Sequence, residues 1–148
     1  MHLDVAVCLP QETETVALVR SVVTNTLLLF GVTDECVEDI RLALSEACNN
    51  VVEHAAGPDE YEVRVQIDDE RCEITVTNPG EELDAASLAG AMPDPASVRG
   101  RGVAIMRALV DKVDFRFEPE AGTIVHLVKE LAVREDGHLA RLRQRPQR

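Results

Sequence analysis

The chain has 148 residues, 45% of them apolar but only 3% aromatic, with no tryptophan and a net charge of −12. That length fits one domain with an aliphatic core, and the apolar share excludes a disordered chain. The negative charge excludes a general nucleic-acid binder, which needs a basic face, and no apolar run is long enough to span a membrane.

Residues 2–9 alternate Leu3, Val5, Val7 and Leu9 on one side, the period of a half-buried strand, and Pro10 stops it. Residues 13–30 read as a helix with a broad apolar face that includes Val16, Val19, Val23 and Leu27, ended by Gly31. A second helix is expected from Thr33 or Asp34, either of which can cap it, to about Ala56, where Gly57-Pro58 terminates it. Residues 60–68 and 72–77 alternate as two strands joined by Asp69-Glu70, an antiparallel hairpin that Asn78-Pro79-Gly80 breaks. A short helix is expected at 83–91, then an irregular, mobile stretch over 92–98 with Pro93 and Pro95. Residues 102–111 read as a third main helix, and 113–117 with 123–131 as a final hairpin around Glu120-Ala121-Gly122.

Residues 134–148 hold five Arg (134, 141, 143, 145, 148) against Glu135 and Asp136, a net of +3 that leaves −15 on residues 1–133. The expected division is a folded domain over 1–133 and a basic, partly disordered tail over 134–148. The order of elements predicts an α+β two-layer sandwich, a mostly antiparallel sheet covered on one face by helices. Cys8, Cys36, Cys48 and Cys72 are scattered, with no Cys-x-x-Cys pair and no His at ligand spacing. They read as buried reduced thiols of a cytoplasmic protein rather than a zinc site, and the N-terminus shows no signal-peptide pattern.

Two segments carry the chemistry. In Ser45-Glu46-Ala47-Cys48-Asn49-Asn50-Val51-Val52-Glu53-His54-Ala55, four-residue spacing puts Glu46, Asn50 and His54 on one helical stripe. The apolar stripe (Val37, Ile40, Leu44, Ala47, Val51) lies elsewhere, Glu46 being about 200° around from Leu44. The helix can thus pack with one side and present Glu46 and Asn50 to a pocket with the other. Asn50 offers a neutral oxygen suited to Mg²⁺ held mainly by phosphates, and Glu46 can accept a proton. Taken alone, the stripe reads first as the solvated polar face of an ordinary helix.

The second segment is Arg99-Gly100-Arg101-Gly102-Val103, a Gly-x-Gly turn expected to open the third helix, where free N–H groups can hold a phosphate. Arg99 and Arg101 add positive charge. Asn78 can point into a pocket at the sheet edge or simply serve a turn, and Thr123 can bond a ligand or be an ordinary strand residue.

Together, in this order and spacing, the segments resemble the GHKL ATPase superfamily. Within it they resemble the bacterial anti-sigma factors that are also serine-protein kinases, over roughly residues 3–131. Residues 45–55 look like the family's N box, which implies Glu46 as catalytic base and Asn50 as Mg²⁺ ligand. Residues 99–111 look like the glycine box around the triphosphate, which implies Arg99, Gly100, Arg101, Gly102 and Val103. Gly122-Thr123-Ile124-Val125 resembles the final strand, whose Thr sits near adenine and which Lys129 completes. The family's other glycine box starts with an Asp that receives the adenine amino group. Here Asn78-Pro79-Gly80-Glu81-Glu82 stands in its place, so Asn78 and Gly80 are the implied adenine contacts, Asn78 as a weaker, uncharged acceptor.

The resemblance implies ATP and Mg²⁺ as cofactors, a sigma factor and a STAS-type anti-sigma-factor antagonist as protein partners, and a homodimer. One expectation is therefore phosphorylation of a Ser or Thr of the antagonist, which controls sigma-factor availability. The alternative is a non-catalytic module that binds a sigma factor or another regulator, with a degenerate nucleotide site. Intact Glu46 and Asn50 favour the first, the altered Asn78 segment the second.

Overall fold

The computed structural model of the chain describes residues 1–53, 60–79 and 98–146. In chain order the elements are β1 (His2–Pro10), α1 (Thr13–Leu29), α2 (Asp34–Glu53), β2 (Glu60–Asp68), β3 (Arg71–Asn78), α3 (Val98–Leu109), β4 (Lys112–Glu118), β5 (Gly122–Glu130) and α4 (His138–Arg143). The five strands form one sheet in the order β1-β2-β3-β5-β4, with every neighbouring pair antiparallel. The expected α+β class holds. The short helix at 83–91, the stretch over 92–97, the end of α2 beyond Glu53, His54 and Gly80 lie outside the described residues.

Local chemistry explains the element boundaries. Thr33 caps α2, its hydroxyl accepting the Cys36 N–H at 3.3 Å, while Asp34 and Glu35 lie in the positive first turn. The Asp68 carboxylate accepts the N–H groups of Glu70 and Arg71, both at 2.8 Å, and closes the β2–β3 turn. Tyr61, Val63, Val65 and Ile67 of β2 and Cys72, Ile74 and Val76 of β3 are all buried, together with Val16, Val19, Val23 and Leu27 of α1 and Val37, Ile40, Leu44, Ala47 and Val51 of α2. The period-2 and helical stripes of the sequence thus meet in one aliphatic core.

Four expectations change. Helix α3 begins at Val98 rather than 102, so Gly100 and Gly102 lie inside its first turns and not in a turn before it. Two glycines so close together look like a break in the sequence, but packing against α2 holds them helical. The second change concerns the segment after 133. Residues 138–143 form α4, and its Leu139 is fully buried in the core. Backbone bonds fix it: Leu139 N–H donates to Phe30 O (3.0 Å) and Arg134 N–H to Gly31 O (2.7 Å). Arg143 donates to the Asp69 and Leu131 carbonyls at 2.6 and 3.1 Å, so part of the basic charge ties this segment down.

Third, β1 is less covered than a half-buried strand should be. It is the sheet's outer strand, and Val5 and Val7 are 41% and 36% exposed on the face that meets α1. Fourth, three thiols are buried but Cys8 is exposed, because it points to the opposite face of that outer strand. Burial pushes the Cys48 and Cys72 thiols up to about 12, which keeps them protonated.

Candidate functional site

Helix α2 presents Glu46 and Asn50 one turn apart, and α3 packs directly against them. A Cβ on Gly102 would sit 2.9 Å from Glu46 Oε2 and 3.5 Å from Asn50 Oδ1. A Cβ at 102 would displace the Glu46 carboxylate and touch Asn50, so glycine lets α3 lie this close with Glu46 left in place. The two segments singled out in the sequence, some fifty residues apart, therefore meet in space at three named residues.

The electrostatics of this pair suit proton transfer. Glu46 is half-buried, and burial, followed by repulsion from Glu53, raises its carboxyl above the ordinary glutamate range. Asn50 is 8% exposed, and its Nδ2 has no hydrogen-bond partner among the described residues. An unsatisfied buried amide costs free energy in the folded protein, and a polar ligand would offset that cost.

A second set lies at one end of the sheet. Asn78, the last residue of β3, pairs with Thr123 of β5, and both are more than nine-tenths buried on the helix-covered face. Thr123 Oγ1 makes no hydrogen bond among the described residues. Gly122 precedes it at φ +105°, where a Cβ would fall 2.1 Å from the Asn78 carbonyl oxygen, so this close approach of β5 to β3 needs glycine. Next to β2, the Gln11 side-chain nitrogen donates to Asn78 Oδ1 (3.0 Å) and to the Glu60 carbonyl (3.3 Å). Gln11, Glu60, Asn78 and Thr123 thus form a polar row across the same end of four strands. The Cys48 thiol meets the Tyr61 hydroxyl, which also contacts Thr15 Oγ1 at 3.2 Å. That contact holds the α2 turn between Glu46 and Asn50 over this end of the sheet.

Of the remaining expected site residues, Arg99 and Gly100 lie in the first turn of α3, whose N–H groups have no carbonyl partner within the helix. Arg101 is exposed, and Val103 turns its side chain into the core at 6% exposure, leaving only its backbone for a ligand. Gly80 is not described. Sequence reasoning missed Gln11, because its place beside Asn78 depends on the register of three strands. Lys129 is a scaffold group: it donates to Leu109 O at 2.8 Å and to Asp39 at 3.4 Å, closing the C-terminus of α3.

Among the described residues, no three His, Cys, Asp or Glu side chains gather to hold a metal by themselves. A cation bound through Asn50 would take its other ligands from phosphate and water, the usual habit of Mg²⁺. The Asn50 amide nitrogen and the Thr123 hydroxyl, both without a partner among the described residues, fit a polyanionic ligand with a polar base.

Known proteins resemble the chain over most of its length. The family described as histidine kinase-like ATPase domain matches residues 9–129. The serine-protein kinase RsbW of Bacillus velezensis is 31% identical over 134 residues, covering 83% of this chain and 82% of its own. RsbW of Bacillus subtilis is 30% identical over 133 residues, with 82% of each chain covered. The anti-sigma F factor of Pasteuria penetrans is 33% identical over 139 residues, covering 88% of this chain and 90% of its own. The crystal structure of RsbU and RsbW domains from Mycobacterium tuberculosis shares the fold at TM-score 0.67 and 21% identity; the match covers 87% of this chain and 32% of that one.

Proposed function

The chain belongs to the histidine kinase-like ATPase family, in the branch of the serine-protein kinases and anti-sigma factors, and from that premise we propose that it is an ATP-dependent serine kinase that regulates a sigma factor. Its substrate is a Ser or Thr hydroxyl of an anti-sigma-factor antagonist of the STAS type, and its regulated partner is the sigma factor itself, both in the cytoplasm. The observation that carries this reading is the meeting of Glu46, Asn50 and Gly102.

In the reaction, the partner's hydroxyl oxygen forms a bond to the γ-phosphorus, the bond from that phosphorus to the β-phosphate bridging oxygen breaks, and ADP leaves. Glu46 takes the hydroxyl proton, a role that its raised carboxyl pKa suits. Asn50 supplies one oxygen to Mg²⁺, which when bound neutralises charge on the phosphates. The N–H groups in the first turn of α3 donate to the phosphate oxygens, with Arg99 and Arg101 on the same segment. Asn78 and Thr123 face the base.

Calorimetry tests the site directly. Binding of ATP is expected to depend on Mg²⁺ and to weaken about tenfold or more in Asn50→Ala, the cost of losing one ligand in the shell. No binding at millimolar ATP would instead favour a module that holds the regulator without nucleotide.

The homodimer is assigned to the face of α1 and β1. Leu18 and Val22 are 54% and 53% exposed and, with Val5 and Val7, line an apolar groove of about 140 Å³. Exposed contiguous apolar surface of this kind marks an interface. Light scattering should report a dimer for the wild type and a monomer for Val22→Glu; an unchanged mass would place the interface elsewhere.

A further inference from the structure

The chain has four aromatic residues, one Tyr and three Phe, and no Trp. Tyr61 lies in the core, and Phe30 and Phe115 pack against it. Phe117 is the exception: half-buried, it does not join that core among the described residues. Strand alternation gives it the same face as Val113 and Phe115, which do join the core, so its ring stands on the helix-covered side of the sheet. It pairs with Thr123 across β4–β5, just as Asn78 pairs with Thr123 across β3–β5. Phe117, Thr123 and Asn78 therefore form one row over three adjacent strands, about 10 Å from end to end. Side chains paired directly on one face are close enough to share a ligand. In the middle of the row, Thr123 is 6% exposed and its Oγ1 has no partner among the described residues, the mark of a place where a polar ligand atom belongs.

We propose that Phe117 is a base-contacting residue of the nucleotide site: its ring packs on the purine whose polar edge meets Thr123 and Asn78. This rests on the nucleotide-site reading above. A purine has apolar faces and a polar edge, and the row offers a partner for each, an aromatic ring at one end and a hydroxyl and an amide beside it. Contact with an aromatic ring uses the π-face of the base and needs no charge. The ring thus supplies affinity that an uncharged Asn78 does not. Binding also covers the apolar surface that Phe117 leaves outside the core.

Because the chain has no Trp, Phe117→Trp places a single tryptophan at the site, and its fluorescence reports the base directly. ATP·Mg²⁺ is expected to quench it with the dissociation constant that calorimetry gives for the same variant. Magnesium tripolyphosphate, which carries no base, is expected to leave it unchanged. Phe117→Ala should weaken ATP binding about tenfold, the weight of one base–aromatic contact. Partial loss of folded protein lowers the calorimetric stoichiometry and not the constant, so it does not mimic this effect. Emission unmoved while ATP binds, an equal response to tripolyphosphate, or wild-type ATP affinity in Phe117→Ala overturns the proposal and leaves the nucleotide site standing. If the wild type binds no ATP, the nucleotide-site reading itself fails and takes this inference with it.

Discussion

Glu46→Gln is expected to abolish phosphotransfer to a partner's serine while ATP·Mg²⁺ binding persists. The amide keeps the shape of the side chain, so the contact with Gly102 is retained, but it cannot take the hydroxyl proton. Loss of a positioned general base costs roughly 10²–10⁴ in rate. Single-turnover transfer of labelled phosphate to the antagonist measures it, and a variant retaining wild-type rate would remove Glu46 from the chemistry. The same carboxyl dictates the pH profile. Burial and the nearby Glu53 raise its pKa, so activity should fall with decreasing pH at a midpoint above the ordinary glutamate range. Glu53→Gln removes the repulsion and should move that acid limb down. Stability carries the opposite sign. A carboxyl whose folded pKa is raised contributes stability below its unfolded pKa and loses that contribution as pH rises through the folded value. At neutral pH, Glu46→Gln should therefore melt no lower than the wild type, so that loss of activity cannot be ascribed to unfolding.

Gly31→Ala should be among the most damaging changes away from the site. Gly31 has φ +84°, and a Cβ there would lie 2.6 Å from Gly137 Cα and 3.1 Å from His138 N. Left-handed strain costs about 1–3 kcal/mol, and displacing the backbone in front of α4 adds a comparable amount. For a domain of this size the midpoint of thermal unfolding should drop by roughly 10 °C. Circular dichroism melting reports it; an unchanged midpoint would mean that α4 is not docked on the α1–α2 turn.

The parts of the molecule readable from its sequence are those set by local periodicity. The stripe that places Glu46 beside Asn50 follows from helical spacing alone, and the alternation in 60–68 and 72–77 places the buried faces of β2 and β3. What escaped reading depends on distant partners. Leu139 sits between His138 and Ala140 in a six-residue helix too short to stand alone, and only the pocket formed by the α1–α2 turn makes it a core residue. Gly100 and Gly102 carry the composition of a turn, yet contact with α2 makes them helical. The Gln11–Asn78 bond needs the β1–β2–β3 register, which no spacing within one segment encodes.

The sheet order has a consequence for how the chain reaches this state. Strand β5 inserts between β3 and β4, and the Phe30 carbonyl waits for the Leu139 amide, on the order of a hundred residues later. During synthesis β1, β2 and β3 can pair early, but β3 then keeps an open edge, and the core beneath the α1–α2 turn lacks its last side chain. Closure of such distant contacts is slow, and exposed strand edges invite pairing with other chains. A nascent chain halted before β5 should therefore depend on chaperones or aggregate, and cooperative folding should begin only once the end of the domain is free to return to its beginning.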